Sequence, residues 1–154
     1  SRYTQGVMRG PSPLSPGFGE LSASYSSRLN HCPFLICSHA AVSAELLGDR
    51  NLVDVVLESP RTAPIPEREK VLFAFLAQVN GNSYALRREE VDAVRAAGWT
   101  DEAIYDAVSV CALFNFYNRW CDGTGVRPMQ PEQYAASGKR LATFGYEPPA
   151  KPPG

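Results

Sequence analysis

The chain has 154 residues, 44% of them hydrophobic and 20% charged, with a formal net charge of -1. That length supports one domain with its own core, and the near-neutral balance offers no electrostatic reason to bind DNA, RNA or an anionic membrane. The longest strongly apolar run, "VSVCALFNFY" at 108–117, is about half of the roughly 20 residues that a membrane-spanning helix needs.

Prolines crowd both ends, in "GPSPLSPG" and "EPPAKPPG", so extended chain is expected over about 1–14 and 147–154. Ser15 as N-cap, with Pro16 at the first helical position, opens a helix to about Arg28. Pro33 opens a second that runs to Leu47 and stops at Gly48. A short helix near 50–58 meets the breaker "SPRTAPIP". Pro66 then starts "PEREKVLFAFLAQVN", with acids in the first turn where the helix dipole favours them, and this element closes before Gly81. Residues 88–97 form another helix, ended by Gly98.

Thr100 caps the longest element, about 101–122. Its second half is apolar on nearly every face through Val108, Val110, Leu113, Phe114, Phe116, Tyr117 and Trp120, the mark of a central helix or one buried in a subunit contact. A homo-oligomer is therefore expected. Pro131 begins a last helix to about Phe144, ended by Gly145. No period-two pattern and no repeat at solenoid spacing occurs. The expectation is all-α: a single domain over 1–154 built as a compact bundle of about six to seven helices.

Chemistry concentrates in "CPFLICSH". On a helix advancing about 100° per residue, His39 returns to within about 20° of Cys32, with Leu35 and Ile36 on the same stripe, while Cys37 is turned about 140° away. Cys32 precedes Pro33, so its sulfur is expected at a helix N-terminus, where free N–H groups lower a thiol pKa. Two turns separate Cys32 from His39, roughly 10 Å of rise, which suits a relay through water better than a direct dyad. A plain packing role for both residues is the alternative.

Cys32, Cys37 and His39 do not converge as a tetrahedral zinc site would require, and no G-x-S-x-G, P-loop or G-x-G-x-x-G pattern occurs. No metal or organic cofactor is called for. Four cysteines without framework spacing suit free thiols in a reducing, cytoplasmic setting, with Cys111 and Cys121 as core thiols. No charged and apolar leader opens the sequence. Asn118 and Arg119 interrupt the apolar face of "FNFYNRW" and, if buried, must be paired, most simply with a carboxylate. On position in the chain alone, Glu20 would be a solvated glutamate in the first turn of its helix.

The segments "GFGELSASYSSRLNHCPFLICSHAAVSAELLGD" and "DAVSVCALFNFYNRWCDGTGV" resemble the alkylhydroperoxidase D (AhpD)/carboxymuconolactone decarboxylase superfamily, in particular its peroxidase-related branch. The resemblance runs over about 14–146. It implies an all-helical, oligomeric fold whose AhpD members use a Glu, a C-x-x-C pair and a His four residues past the second Cys. Glu20, Cys32 and His39 match; the second Cys is replaced by Leu35. In AhpD-like enzymes that second sulfur attacks the peroxide and the first resolves it.

Three functions follow as expectations. Glu20, His39 and Cys32 line a pocket that does acid-base work on a small carbonyl or carboxylate substrate, with Leu35 desolvating the carboxylate and raising its pKa. Alternatively Cys32 reduces hydroperoxides as a single thiol, its sulfenate recycled by an external thiol reductant or trapped by Cys37. In the third, the site is a relic within an oligomeric binding protein. Tyr25 and Phe34, beside the matched residues, are candidate pocket walls.

Overall fold

Proline and glycine set most of the helix boundaries, because proline can start a helix but not continue one, and glycine accepts the left-handed residue that ends one. The structure, a computed structural model, describes residues 1–147. Within them lie α1 (Arg2–Arg9), α2 (Pro16–Leu29), α3 (Pro33–Leu47), α4 (Arg50–Glu58), α5 (Glu67–Asn82), a 3-10 turn (Ser83–Ala85), α6 (Arg88–Ala96), α7 (Asp101–Thr124) and α8 (Pro131–Phe144). The all-α expectation holds, with eight α-helices among the described residues in place of six or seven.

Ser15 Oγ accepts the Phe18 N–H, Thr100 Oγ1 accepts the Ala103 N–H, and Gly48 and Gly125 close α3 and α7 with φ of 69° and 73°. α5 runs through Gly81, where its expected end lay, and stops two residues on in the 3-10 turn. One expectation fails outright. The first residues are not extended: Ser1 caps α1 by accepting from the Thr4 N–H, and Thr4 and Met8, one turn apart, are buried. The prolines that suggested extended chain all follow this helix, so they end it without preventing it. The other end, 148–154, lies outside the described residues.

α2 is the hub. Residues Gly17 to Ser27 are all buried, and the helix packs against α3, α7, α5, α4 and α1. Its composition permits this, since Gly17, Gly19, Ala23 and several serines let neighbouring helices come close. Two serine bonds tie α2 to α3: Ser24 Oγ donates to the Ile36 carbonyl at 2.8 Å, and Ser43 Oγ of α3 donates to the Gly17 carbonyl at 3.0 Å. Phe18, Tyr25, Phe73 and Trp99 organise the main core, with ring centroids 5.1–5.9 Å apart. A second apolar cluster forms at the α2–α3–α7 junction around Met8, Ala23, Cys32, Leu35, Phe114 and Cys121. Among the described residues no helix is long and apolar enough to cross a membrane.

α8 approaches α3 at Gly138, where an added Cβ would stand 3.0 Å from the Ala41 carbonyl carbon and Cβ. Replacing Gly138→Leu is expected to lower stability by about 1–3 kcal/mol by overpacking. Gly123→Ala, where a Cβ meets nothing within 4 Å, should instead gain about 0.5–1 kcal/mol from helix propensity. Urea denaturation of the two variants reads both signs.

Candidate functional site

Glu20 lies on the second turn of α2 and has none of its surface exposed. The solvated first-turn glutamate expected from sequence position alone is therefore corrected: α1 and α3 close over this part of α2. An uncompensated carboxylate there would be prohibitively costly. It has three partners. His39 Nδ1 stands 2.6 Å from Oε2, Arg9 Nη2 stands 2.6 Å from Oε1, and the Tyr146 hydroxyl donates to Oε1 at 2.7 Å.

The partners also hold one another. Tyr146 Oη lies 3.3 Å from His39 Nδ1, the two rings run nearly parallel with centroids 6.3 Å apart, and the Arg9 guanidinium sits 5.2 Å from the Tyr146 ring centre. Phe114 meets the imidazole edge-on at 4.4 Å. Tyr146 is itself held by Gln5, whose Oε1 accepts its backbone N–H at 2.7 Å, so α1 and the residue after α8's glycine stop clasp the carboxylate together. Neither Arg9 nor Tyr146 was foreseen. Arg9 sat in chain expected to be extended, and Tyr146 is 126 residues from Glu20, beyond any helical period.

Burial alone would raise the Glu20 pKa, but His39, Arg9 and Tyr146 outweigh it and hold the carboxyl below its ordinary value. The expectation that Leu35 raises this pKa is thereby reversed. Leu35, buried in the second cluster with Cys32, adds apolar surroundings, yet the pairing dominates. Burial and the Glu20 carboxylate drive the Tyr146 phenol far above its usual value, so it stays a hydrogen-bond donor. An ionised Glu20 requires the proton in the 2.6 Å contact to sit on Nδ1 of His39, which leaves Nε2 as the ring's other nitrogen.

The thiols behave differently from expectation. Cys32 does cap α3, but it is fully buried, and desolvation, reinforced by the nearby Asp122 carboxylate, pushes its pKa up to about 11. The N–H of Leu35 pulls the other way and loses. The lowered thiol pKa expected at a helix N-terminus is corrected: the dipole effect needs a partly solvated sulfur, and α7 covers this one. Cys37 is exposed, whereas Cys111 and Cys121 are buried core thiols.

Tyr25 lines a cavity of about 690 Å³ with Arg28, His31 and Lys70, and none of Glu20, His39, Arg9 and Tyr146 lines it. Phe34 packs against Tyr134, with centroids 6.3 Å apart. Neither touches the Glu20 partners. Asn118 is 1% exposed with no partner for either amide atom, and Arg119 is exposed, bonding Asn115 on its own helix at 2.8 and 2.9 Å. The carboxylate pairing expected for these two does not form. No group of three or more His, Cys, Asp and Glu among the described residues could hold a metal ion.

No protein-family model matches the sequence, and no curated protein matches it. Solved structures do. One is an uncharacterized peroxidase-related protein from Silicibacter sp. TM1040, at 28% identity and a TM-score of 0.79, covering 87% of this chain and 69% of that one. Another, described as an alkylhydroperoxidase AhpD core and an uncharacterized peroxidase-related protein, comes from Ralstonia eutropha JMP134. It matches at 25% identity and a TM-score of 0.81, over 90% of this chain and 72% of that one.

Two outcomes check the site. Alkylation with iodoacetamide at neutral pH should modify Cys37 rapidly and the other three thiols only on unfolding, read by intact mass. Because the Glu20 pKa is depressed, its contribution is complete above the ordinary carboxyl value of 4.5 and is lost as pH falls through the folded value. Tyr146→Phe removes one of the depressing partners, so it should cost about 1–2 kcal/mol at neutral pH. Its acid-unfolding midpoint should move to higher pH than that of the wild type.

Proposed function

The chain has the AhpD-like fold of the peroxidase-related proteins, and from that premise we propose that it is a divergent member doing acid-base chemistry, of decarboxylase, lyase or isomerase type, on a small carbonyl or carboxylate substrate. The observation that carries this is the 2.6 Å contact between His39 Nδ1 and a wholly buried, ionised Glu20. Glu20 fixes the imidazole tautomer and orientation, and Nε2 takes a proton from a substrate carbon next to a carbonyl. The imidazolium that forms is then stabilised by the same carboxylate, the arrangement that makes a carboxylate–histidine pair an effective base. Arg9 and Tyr146 hold the carboxylate in place.

The thiol supports this reading by its unsuitability for the other. A sulfur pushed to about 11 carries a thiolate fraction of about one in ten thousand at pH 7. Leu35 leaves α3 without a second cysteine on that face, and Cys121 of α7, in the same apolar cluster as Cys32, is likewise pushed up by burial and by Asp122. Cys32 in this proposal is a neutral, buried thiol of the neighbouring apolar cluster, and hydroperoxide reduction through it is the competing reading.

We propose self-association as part of the same picture. Phe116 and Trp120 of α7 remain 60% and 53% exposed, large aromatic surface that a second copy would cover. Trp120→Glu should reduce the sedimenting mass to that of a single chain.

Activity is tested without a known substrate by following exchange of solvent deuterium into a panel of small 2-oxo acids and lactones by proton NMR. Wild type and Cys32→Ser should both catalyse exchange on at least one compound, while Glu20→Gln and His39→Gln should fall by about 10²–10⁴-fold. Absence of exchange with rapid, Cys32-dependent consumption of an organic hydroperoxide would overturn the acid-base proposal.

A further inference from the structure

Three asparagines from different helices bond to one another where α5 ends against α7: Asn30 at the C-cap of α2, Asn80 in the last turn of α5 and Asn115 on α7. Two backbone carbonyls settle which way their amides face. Asn30 Nδ2 donates to the Ser26 carbonyl at 2.8 Å, and Asn115 Nδ2 donates to the Cys111 carbonyl at 3.0 Å. Both nitrogens also donate to Asn80 Oδ1, at 2.8 and 2.7 Å, so Asn80 must present its oxygen to them and hold its nitrogen away. That Nδ2 donor has no partner among the described residues and, unlike the Asn118 amide, is not sealed from solvent.

Asn80 and Asn115 line a cavity of about 490 Å³ between α5, the 3-10 turn and α7. Arg119 lines it too, its Nη1 donating to the Asn115 carbonyl and Oδ1 at 2.9 and 2.8 Å. Nε and Nη2, the side edge of the guanidinium, are left without a partner, and no carboxylate pairs with Arg119 among the described residues. No acidic residue lines the cavity, and its other walls include Val79, Val108, Ala112 and Phe116. Apolar walls with one unpaired cation and one unspent amide donor describe an anion that carries an apolar body.

We propose that this α5–α7 cavity is a binding site for a small monocarboxylate with an apolar body, its carboxylate held by Arg119 and by Asn80 Nδ2. A guanidinium edge matches a carboxylate through two parallel N–H bonds, and the amide adds a third donor. With a single cation, and the carbonyl end of α5 close by, the lining suits one negative charge and not the two of a phosphate monoester. An ammonium would meet a guanidinium and two amide oxygens that already accept bonds. The site stands whether or not the Glu20–His39 pair turns over a substrate, because no residue of that pair lines it.

The test is isothermal titration of the purified protein with 3-phenylpropionate and with 3-phenylpropanamide, a neutral probe of the same shape. Phe116 also belongs to the face proposed for self-association, so the titration is run at two protein concentrations. Saturable one-to-one binding of the acid is expected, tighter than the amide by at least about tenfold and the same at both concentrations. Arg119→Met should weaken the acid by about tenfold or more. Asn80→Asp keeps the oxygen that Asn30 and Asn115 bond and replaces only the free donor, so it should weaken the acid about as much while helical content is unchanged. Ala112→Phe fills the cavity from an exposed position on α7 and should abolish binding. Equal affinity for the two probes, no saturable binding of the acid to the wild type, or binding that survives Arg119→Met and Ala112→Phe would each overturn the proposal. Affinity that changes with protein concentration would place the site between copies and overturn it as a site of one chain.

Discussion

A carboxylate with no exposed surface survives in a protein only when every charge and lone pair is answered, and Glu20 is answered by three separate parts of the chain. Arg9 comes from α1, His39 from α3 and Tyr146 from the turn after α8, all meeting a residue on the central helix α2. The cluster ties the ends of the described chain to its middle. Removing one partner leaves the others with a poorly matched buried charge, so the arrangement stands or falls as a unit. It also determines what chemistry is available, because an ionised Glu20 dictates the proton position on His39.

The same physics separates the carboxylate from the thiol. Both are fully buried, and burial penalises the charged form of each. Glu20 keeps its charge because an imidazole, a guanidinium and a phenol are aimed at it. Cys32 has an apolar cluster around it and an acid, Asp122, beside it, and so it holds its proton. Two groups that match one AhpD-like pattern thus end in opposite protonation states. The difference comes from what each one's neighbours supply.

Local chemistry made much of this fold legible in the sequence. Ser15 with Pro16, Cys32 with Pro33, Thr100, and the glycines at 48 and 145 mark starts and stops that depend on a few adjacent residues. α1 escaped notice because the prolines from 11 onward dominated the composition of that end. In the site, rotation about a helix axis separates Cys37 from His39, and the first is exposed while the second is buried; the resemblance to AhpD-like proteins drew attention to Glu20, which no local signal marks. Arg9 and Tyr146 were invisible because their contacts join residues more than a hundred positions apart or lie in chain with no period. The sign of the Cys32 shift was out of reach for a similar reason: α3 by itself argues for a lower pKa, and only the packing of α7 reverses it.

Proton position on His39 tests the account most directly. The chain has two histidines, and the exposed His31 serves as an internal reference for the buried one. Long-range nitrogen–proton correlation NMR at neutral pH should find a protonated Nδ1 on His39, with a strongly downfield proton that disappears in Glu20→Gln. A His39 protonated only on Nε2, or an Nδ1 proton indifferent to Glu20, would contradict the claim that this buried carboxylate organises the site.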